Sequence, residues 1–267
     1  MAPRKHVRRR GDHVKKTSEA EYDTTGANDA RGLKGYFRQL RSGHDLATTS
    51  DLAQRMANFI YAIGDSETGE AVLVDPAYAP DELVGILDAA GMHLVGVLAT
   101  HHHPDHVGGD LFGNAIPGIS ELLGTIDVPI HIQKSELPFM QATTGVERSS
   151  CVLHESGDVI SLGGISITCI HTPGHTPGSQ CFFIDGLLLS GDTLFIDGCG
   201  RTDLANGDPD AMYESLFQRL APIPEDTEVF PGHAYSRLPF ATMGTLRRKN
   251  PVLGTQTKDE WIKRYAR

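Results

Sequence analysis

Residues 100–109 read THHHPDHVGG and set His101, His102, His103 and His106 around one carboxylate, Asp105. Imidazole and carboxylate together suit zinc, iron or manganese better than calcium or magnesium, and four or five such ligands satisfy each ion. One residue separates His101 from His103, so an extended turn presents both rings to one metal while His102 points elsewhere. Pro104 bends the chain, which aims Asp105 and His106 at a second metal. Gly108 and Gly109 let the backbone pass close behind the pocket. A lone HxH is often a surface accident. Here it is joined by His175 in HTPGHTPGS, Asp192 in SGDTLF and His233 in FPGHAY, and the joint pattern points to a metal centre.

Each of these residues follows an apolar run. The segments NFIYAI (58–63), AVLVD (71–75), VGVLAT (95–100), SITCIH (166–171), CFFID, LLLSGD and TEVF read as strands, rich in β-branched and aromatic residues. A helix is predicted over 80–90 and another opens at Asp208-Pro209, where Asp caps and Pro takes the first turn. Alternating strands and helices imply a layered α/β fold. Four strands run into His101, His175, Asp192 and His233, and four strand ends in one sheet can converge on one edge, where such folds place their sites.

Composition narrows the chemistry further. Residues 1–31 hold eight basic against five acidic side chains, whereas the rest holds sixteen against twenty-nine. Residues 1–32 are therefore expected to form a disordered basic tail, and 33–267 a single domain ending in a short helical extension. The acidic body opposes binding to nucleic acid. No apolar run is long enough to span a bilayer, so no membrane partner is expected. Four scattered cysteines without a Cys-x-x-Cys pair indicate free thiols in a reducing, cytoplasmic setting, and the acidic residues among the first arginines oppose an organelle-targeting role. A homo-oligomer is compatible with the sequence.

THHHPDHVGG, HTPGHTPGS, GDTLFIDGCGRTDL and FPGHAY together resemble the metallo-β-lactamase superfamily over roughly residues 55–255. The resemblance implies an αβ/βα four-layer sandwich with a metal site at the sheet edge. By position, His101, His103 and His175 would hold one divalent metal, Asp105, His106 and His233 a second, and Asp192 both. Zinc is the expected metal, with iron or manganese as alternatives.

Two branches of that family share these residues. THHHPDHVGG and GDTLF resemble glyoxalase II, a thioester hydrolase acting on S-lactoylglutathione, in which a metal-bound hydroxide attacks and Asp105 would orient it. GCGRTDL, LRRKNPVL and DEWIKR resemble the persulfide dioxygenases, in which a single iron would sit on His101, His175 and Asp192 and act on glutathione persulfide. The hydrolase is the leading expectation, with a small thioester or thiol-derived substrate. Glyoxalase II is expected to carry Lys and Tyr after GCG; Arg201, Thr202 and Asp203 stand here. Arg201 keeps the positive charge and can grip a carboxylate, Tyr235 matches a substrate-binding tyrosine, and Arg247 and Lys249 are candidates for a cationic clamp.

Overall fold

The computed structural model describes residues 35–254 and 257–265; the segment expected to be a basic tail lies outside them. The strands in chain order are β1 (Tyr36–Arg41), β2 (Phe59–Gly64), β3 (Glu70–Val74), β4 (His93–Leu98), β5 (Gly109–Leu111), β6 (Asn114–Ile116), β7 (Ile130–Gln133) and β8 (Cys151–His154). They continue with β9 (Val159–Leu162), β10 (Ile165–His171), β11 (Gln180–Ile184), β12 (Leu187–Gly191), β13 (Glu228–Pro231) and β14 (Ala241–Thr242). One six-stranded sheet has the order β1-β2-β3-β4-β7-β8 and the other β14-β13-β12-β11-β10-β9, while β5 and β6 form a separate hairpin.

The two sheets face each other across an apolar layer in which Phe37, Tyr61, Val72 and Leu98 meet Ile167, Phe182, Leu189 and Phe230. Strands β2 and β12 are buried along their whole length, as central strands covered on both faces must be. The helices are α1 (Asp51–Met56), α2 (Pro80–Ala89), α3 (Pro104–Val107), α4 (Ile119–Leu123), α5 (Leu137–Thr144), α6 (Pro209–Glu214), α7 (Met243–Lys249) and α8 (Lys258–Tyr265). On the outer face of the first sheet, Leu83 and Leu87 of α2 cover Ile60 and Leu73, and residues of α4 and α5 cover Val97 and Ile130. On the outer face of the second, Met212, Met243, Leu246 and Trp261 cover Leu188 and Val229. The result is the helix-sheet-sheet-helix sandwich expected from the sequence.

The caps follow the local chemistry. Asp208 accepts the amides of Asp210 and Ala211, with Pro209 in the first turn of α6. That helix widens into a π turn over Ser215–Arg219. The C-terminal extension is anchored by Trp261, fully buried, whose indole donates to the Val252 carbonyl at 2.8 Å.

The expected convergence within one sheet is corrected. The strand leading to His101 belongs to the first sheet, and those leading to His175, Asp192 and His233 belong to the second. The strand ends meet across the sandwich at a common edge. Apolar runs specify strands but not which sheet each joins, because both sheets use the same inter-sheet core.

Candidate metal centre

After β4 the chain leaves the sheet at Thr100. His103 has extended backbone (φ -63, ψ 142) and precedes the single turn of α3, with Pro104 opening that turn. Gly108 closes it at φ +87, and a Cβ there would overlap the backbone of Gly118. This tight packing throws His101, His103, Asp105 and His106 to one side. His102 turns out of the cluster, as expected, stacking on Phe139 with centroids 5.1 Å apart and donating its backbone amide to Glu136 at 2.8 Å.

The structure brings together all seven side chains expected at the centre. His103 Nδ1 lies 3.1 Å from His101 Nε2 and 2.9 Å from His175 Nε2. His106 Nε2 lies 3.2 Å from His233 Nε2, with Asp105 Oδ2 3.6 and 3.5 Å from the two. Asp192 stands between the groups, Oδ2 being 3.5 Å from His175 Nε2 and 3.3 Å from His233 Nε2, and Oδ1 3.4 Å from His106 Nε2. His101–His103–His175 and Asp105–His106–His233 each have donor atoms spaced to hold one ion.

Two observations show that this set fits metal ions. Asp192 Oδ1 is buried and has no hydrogen-bond partner, an arrangement that costs free energy unless a cation takes the lone pair. The histidines also offer their free nitrogens inward because the opposite ones are engaged. His233 Nδ1 donates to the Met56 carbonyl at 2.7 Å and His175 Nδ1 to the Arg201 carbonyl at 2.8 Å. His106 Nδ1 lies 2.9 Å from Asp75, and His101 Nδ1 3.0 Å from the Thr100 hydroxyl. Such outer partners fix the tautomer that coordinates.

The two groups differ in charge preference. Burial and the neighbouring imidazoles push His101 far below the ordinary histidine range, and burial followed by His175 pushes His103 down to about 3. In the other group, burial would lower His106, but Asp192 and Asp105 outweigh it and raise it to about 10. Burial would raise Asp192, yet His233 and His106 hold it well below the carboxylate range. The carboxylate-bearing half thus favours positive charge, as a cation held there would supply.

The candidate substrate residues divide. Tyr235 stacks on His233 with centroids 4.4 Å apart and planes 11° from parallel, at the rim of a cavity of about 550 Å³ that opens over His103, His175, Asp192 and His233. Arg201 lines the same cavity, but its guanidinium makes two 2.9 Å hydrogen bonds to Asp203. The clamp expected from Arg247 and Lys249 is corrected. Arg247 donates to the carbonyls of Leu220, Ala221 and Ile223 at 3.2, 2.9 and 2.8 Å, beyond the end of α6. Lys249 is exposed in the last turn of α7, and neither residue lines the cavity. Orphan carbonyls past a helix attract a guanidinium, and they capture Arg247 first.

Sequence reading missed three supports. Asp75 accepts the Thr100 amide at 2.8 Å and the Thr100 hydroxyl at 2.6 Å. Asn58 donates to Asp105 Oδ2 at 3.1 Å. Glu136, buried, accepts from Thr176 Oγ1 at 2.9 Å and the Gly178 amide at 2.7 Å. Only Asp75 left a signal, as an acidic residue ending the strand AVLVD.

The family described as "Metallo-beta-lactamase superfamily" matches residues 54–233. The mitochondrial persulfide dioxygenase ETHE1 of Homo sapiens is 31% identical over 210 residues, covering 77% of this chain and 74% of that protein. Hydroxyacylglutathione hydrolase of Methylobacillus flagellatus is 36% identical over 184 residues, 67% of this chain and 63% of that protein. The crystal structure of ETHE1 from Myxococcus xanthus superposes with a TM-score of 0.70 at 26% identity, covering 85% of this chain and 88% of that one.

Proposed function

The chain belongs to the metallo-β-lactamase superfamily, and we propose that it is a two-metal thioester hydrolase of the glyoxalase II type. The observation that carries this reading is Asp192, whose two oxygens lie within 3.5 Å of imidazole nitrogens from both ligand groups. A carboxylate so placed suits two ions, whereas a single site would leave the Asp105–His106–His233 group idle.

His101, His103 and His175 would hold one metal, Asp105, His106 and His233 the second, and Asp192 would touch both, with zinc as the expected ion. Bound there, the metals would polarise the acyl carbonyl and lower the pKa of water from about 15.7 towards 7. The protein's part is orientation. Asn58 fixes one oxygen of Asp105, leaving the carboxylate to align the attacking water. Attack by the water oxygen forms the C–O bond and breakage of the C–S bond expels the thiolate without a strong general acid; one proton of the water ends on the thiol and the other passes to solvent, leaving the acyl product as a carboxylate. Tyr235, on the cavity rim, contacts the substrate.

The substrate is a small soluble thioester, with neither nucleic acid nor membrane as partner. No described helix is long and apolar enough to cross a membrane. Burial raises the thiols of Cys151, Cys169, Cys181 and Cys199, which suits a cytoplasmic protein with inert free cysteines.

A mono-iron persulfide dioxygenase using His101, His175 and Asp192 is the second reading. It draws on the relative of that name and on the Arg201–Asp203 pair, which occupies the segment where Lys and Tyr are expected in glyoxalase II. Thiol release from S-lactoylglutathione in oxygen-free buffer, set beside oxygen uptake on glutathione persulfide, separates the two. Anaerobic thiol release supports the hydrolase; oxygen uptake without thioester cleavage transfers the assignment to the dioxygenase.

A further inference from the structure

The β5–β6 hairpin carries an aromatic residue where folding gives it no support. Asp110 accepts the Gly113 amide at 2.9 Å and Asn114 donates to the Leu111 carbonyl at 3.1 Å, so the turn is closed by its own polar groups. At its tip Phe112 adopts φ +55 and is 90% exposed. Left-handed backbone is unfavourable for a bulky residue, and water is a poor environment for a phenyl ring. Yet Phe112 and the adjacent Leu111 line the cavity over the metal centre.

Other parts of that cavity wall are also apolar. Met56, Phe195, Leu204 and Ala205 line it. Arg201 is the cation on the wall, and its Nε–Nη2 edge is taken by Asp203. Arg247 is bound to backbone carbonyls elsewhere. A glutathionyl group presents two carboxylates and an ammonium to such a wall, where Arg201 already has a carboxylate partner in Asp203. Apolar surface around a few polar groups is the character of a pocket for a largely hydrocarbon ligand.

We propose that the substrate carries a neutral hydrocarbon arm of several methylenes that lies beneath Phe112, and that this ring is the main determinant of specificity. The proposal rests on the thioester reading. The arm belongs either to the acyl group or to the thiol, and both sources share the same chemistry.

The test uses the metal-loaded full chain and N-acetylcysteamine thioesters from acetyl to octanoyl, together with acetyl thioesters of alkyl thiols from ethyl to octyl. Catalytic efficiency is expected to rise roughly fourfold per added methylene in one series, the value of burying a CH2 group. Phe112→Ser, at an exposed turn, should cut the octanoyl-to-acetyl ratio, or its alkyl equivalent, about tenfold. Binding of the octyl thioether of N-acetylcysteamine, which has no ester to cleave, should weaken by a similar factor. A flat response in both series with S-lactoylglutathione as the best substrate would overturn the hydrocarbon arm and leave the hydrolase standing. If no thioester is cleaved but thioether binding still depends on Phe112, the arm stands and the hydrolase reading falls. Thioether affinity unchanged by Phe112→Ser overturns the proposal whatever the activity.

Discussion

Asp75 Oδ2 lies 2.9 Å from His106 Nδ1, and it also accepts the Thr100 hydroxyl, whose oxygen is 3.0 Å from His101 Nδ1. One carboxylate behind the site thereby orients an imidazole in each ligand group. Asp75→Asn keeps the shape but loses the charge and one acceptor oxygen. Outer partners of this kind typically contribute ten- to hundredfold in metal affinity, so chelator competition should show metal retention falling by about that factor. Unchanged retention would deny Asp75 this role.

Glu136 ties the turn after β4 to the loop holding His175. Its carboxylate accepts from the backbone of His102 and Gly178 and from the Thr176 hydroxyl. Replacing it with leucine strands these donors in the interior, at a cost of about 1–3 kcal/mol for each unpaired group. Urea denaturation of Glu136→Leu should show a loss of at least about 2 kcal/mol, with Glu136→Gln losing less.

Gly232 in the FPGHAY segment answers a packing demand. A Cβ there would overlap Asp192 Oδ1 and approach His106 Cε1 at 3.0 Å. Gly232→Ala is expected to displace the carboxylate shared by both ligand groups. A misplacement of 1 Å can cost about a hundredfold in rate, so turnover should fall on that order while far-UV circular dichroism keeps its shape. Near-normal turnover would mean that the centre tolerates movement of Asp192.

The candidate centre was far more legible in the sequence than its surroundings, for physical reasons. HxHxDH, HTPGH, GD and PGH are local patterns, and strand ends pointing the same way bring local patterns together. Asp75, Asn58 and Glu136 act on residues 25 to 48 positions away, and an isolated polar residue carries no spacing from which to infer such contacts. Arg247 and Lys249 show the converse error. Charge alone gives no direction, and the carbonyls beyond α6 bind the guanidinium. Sheet membership was hidden because the strands leading to His101 and His175 are equally apolar, although one belongs to each sheet.

A pH prediction concerns the pair His131 and His154, stacked 5.1 Å apart with ring nitrogens at 2.9 Å on neighbouring strands β7 and β8. Burial and then His154 push His131 down to about 4 from an ordinary 6.5. The unfolded chain therefore takes up this proton first as pH falls. The contribution of neutral His131 is fully present above 6.5 and is lost as pH falls through 4. Denaturant midpoints should decline across that window, and His131→Gln should flatten the decline. An unaltered slope would place the acid sensitivity elsewhere.

Two ions sharing the Asp192 carboxylate are the central requirement of the proposed chemistry. Elemental analysis of the metal-replete protein beside its His106→Ala variant tests this directly. Two metals per chain in the parent and one in the variant are expected. One metal per chain in both would contradict a paired centre.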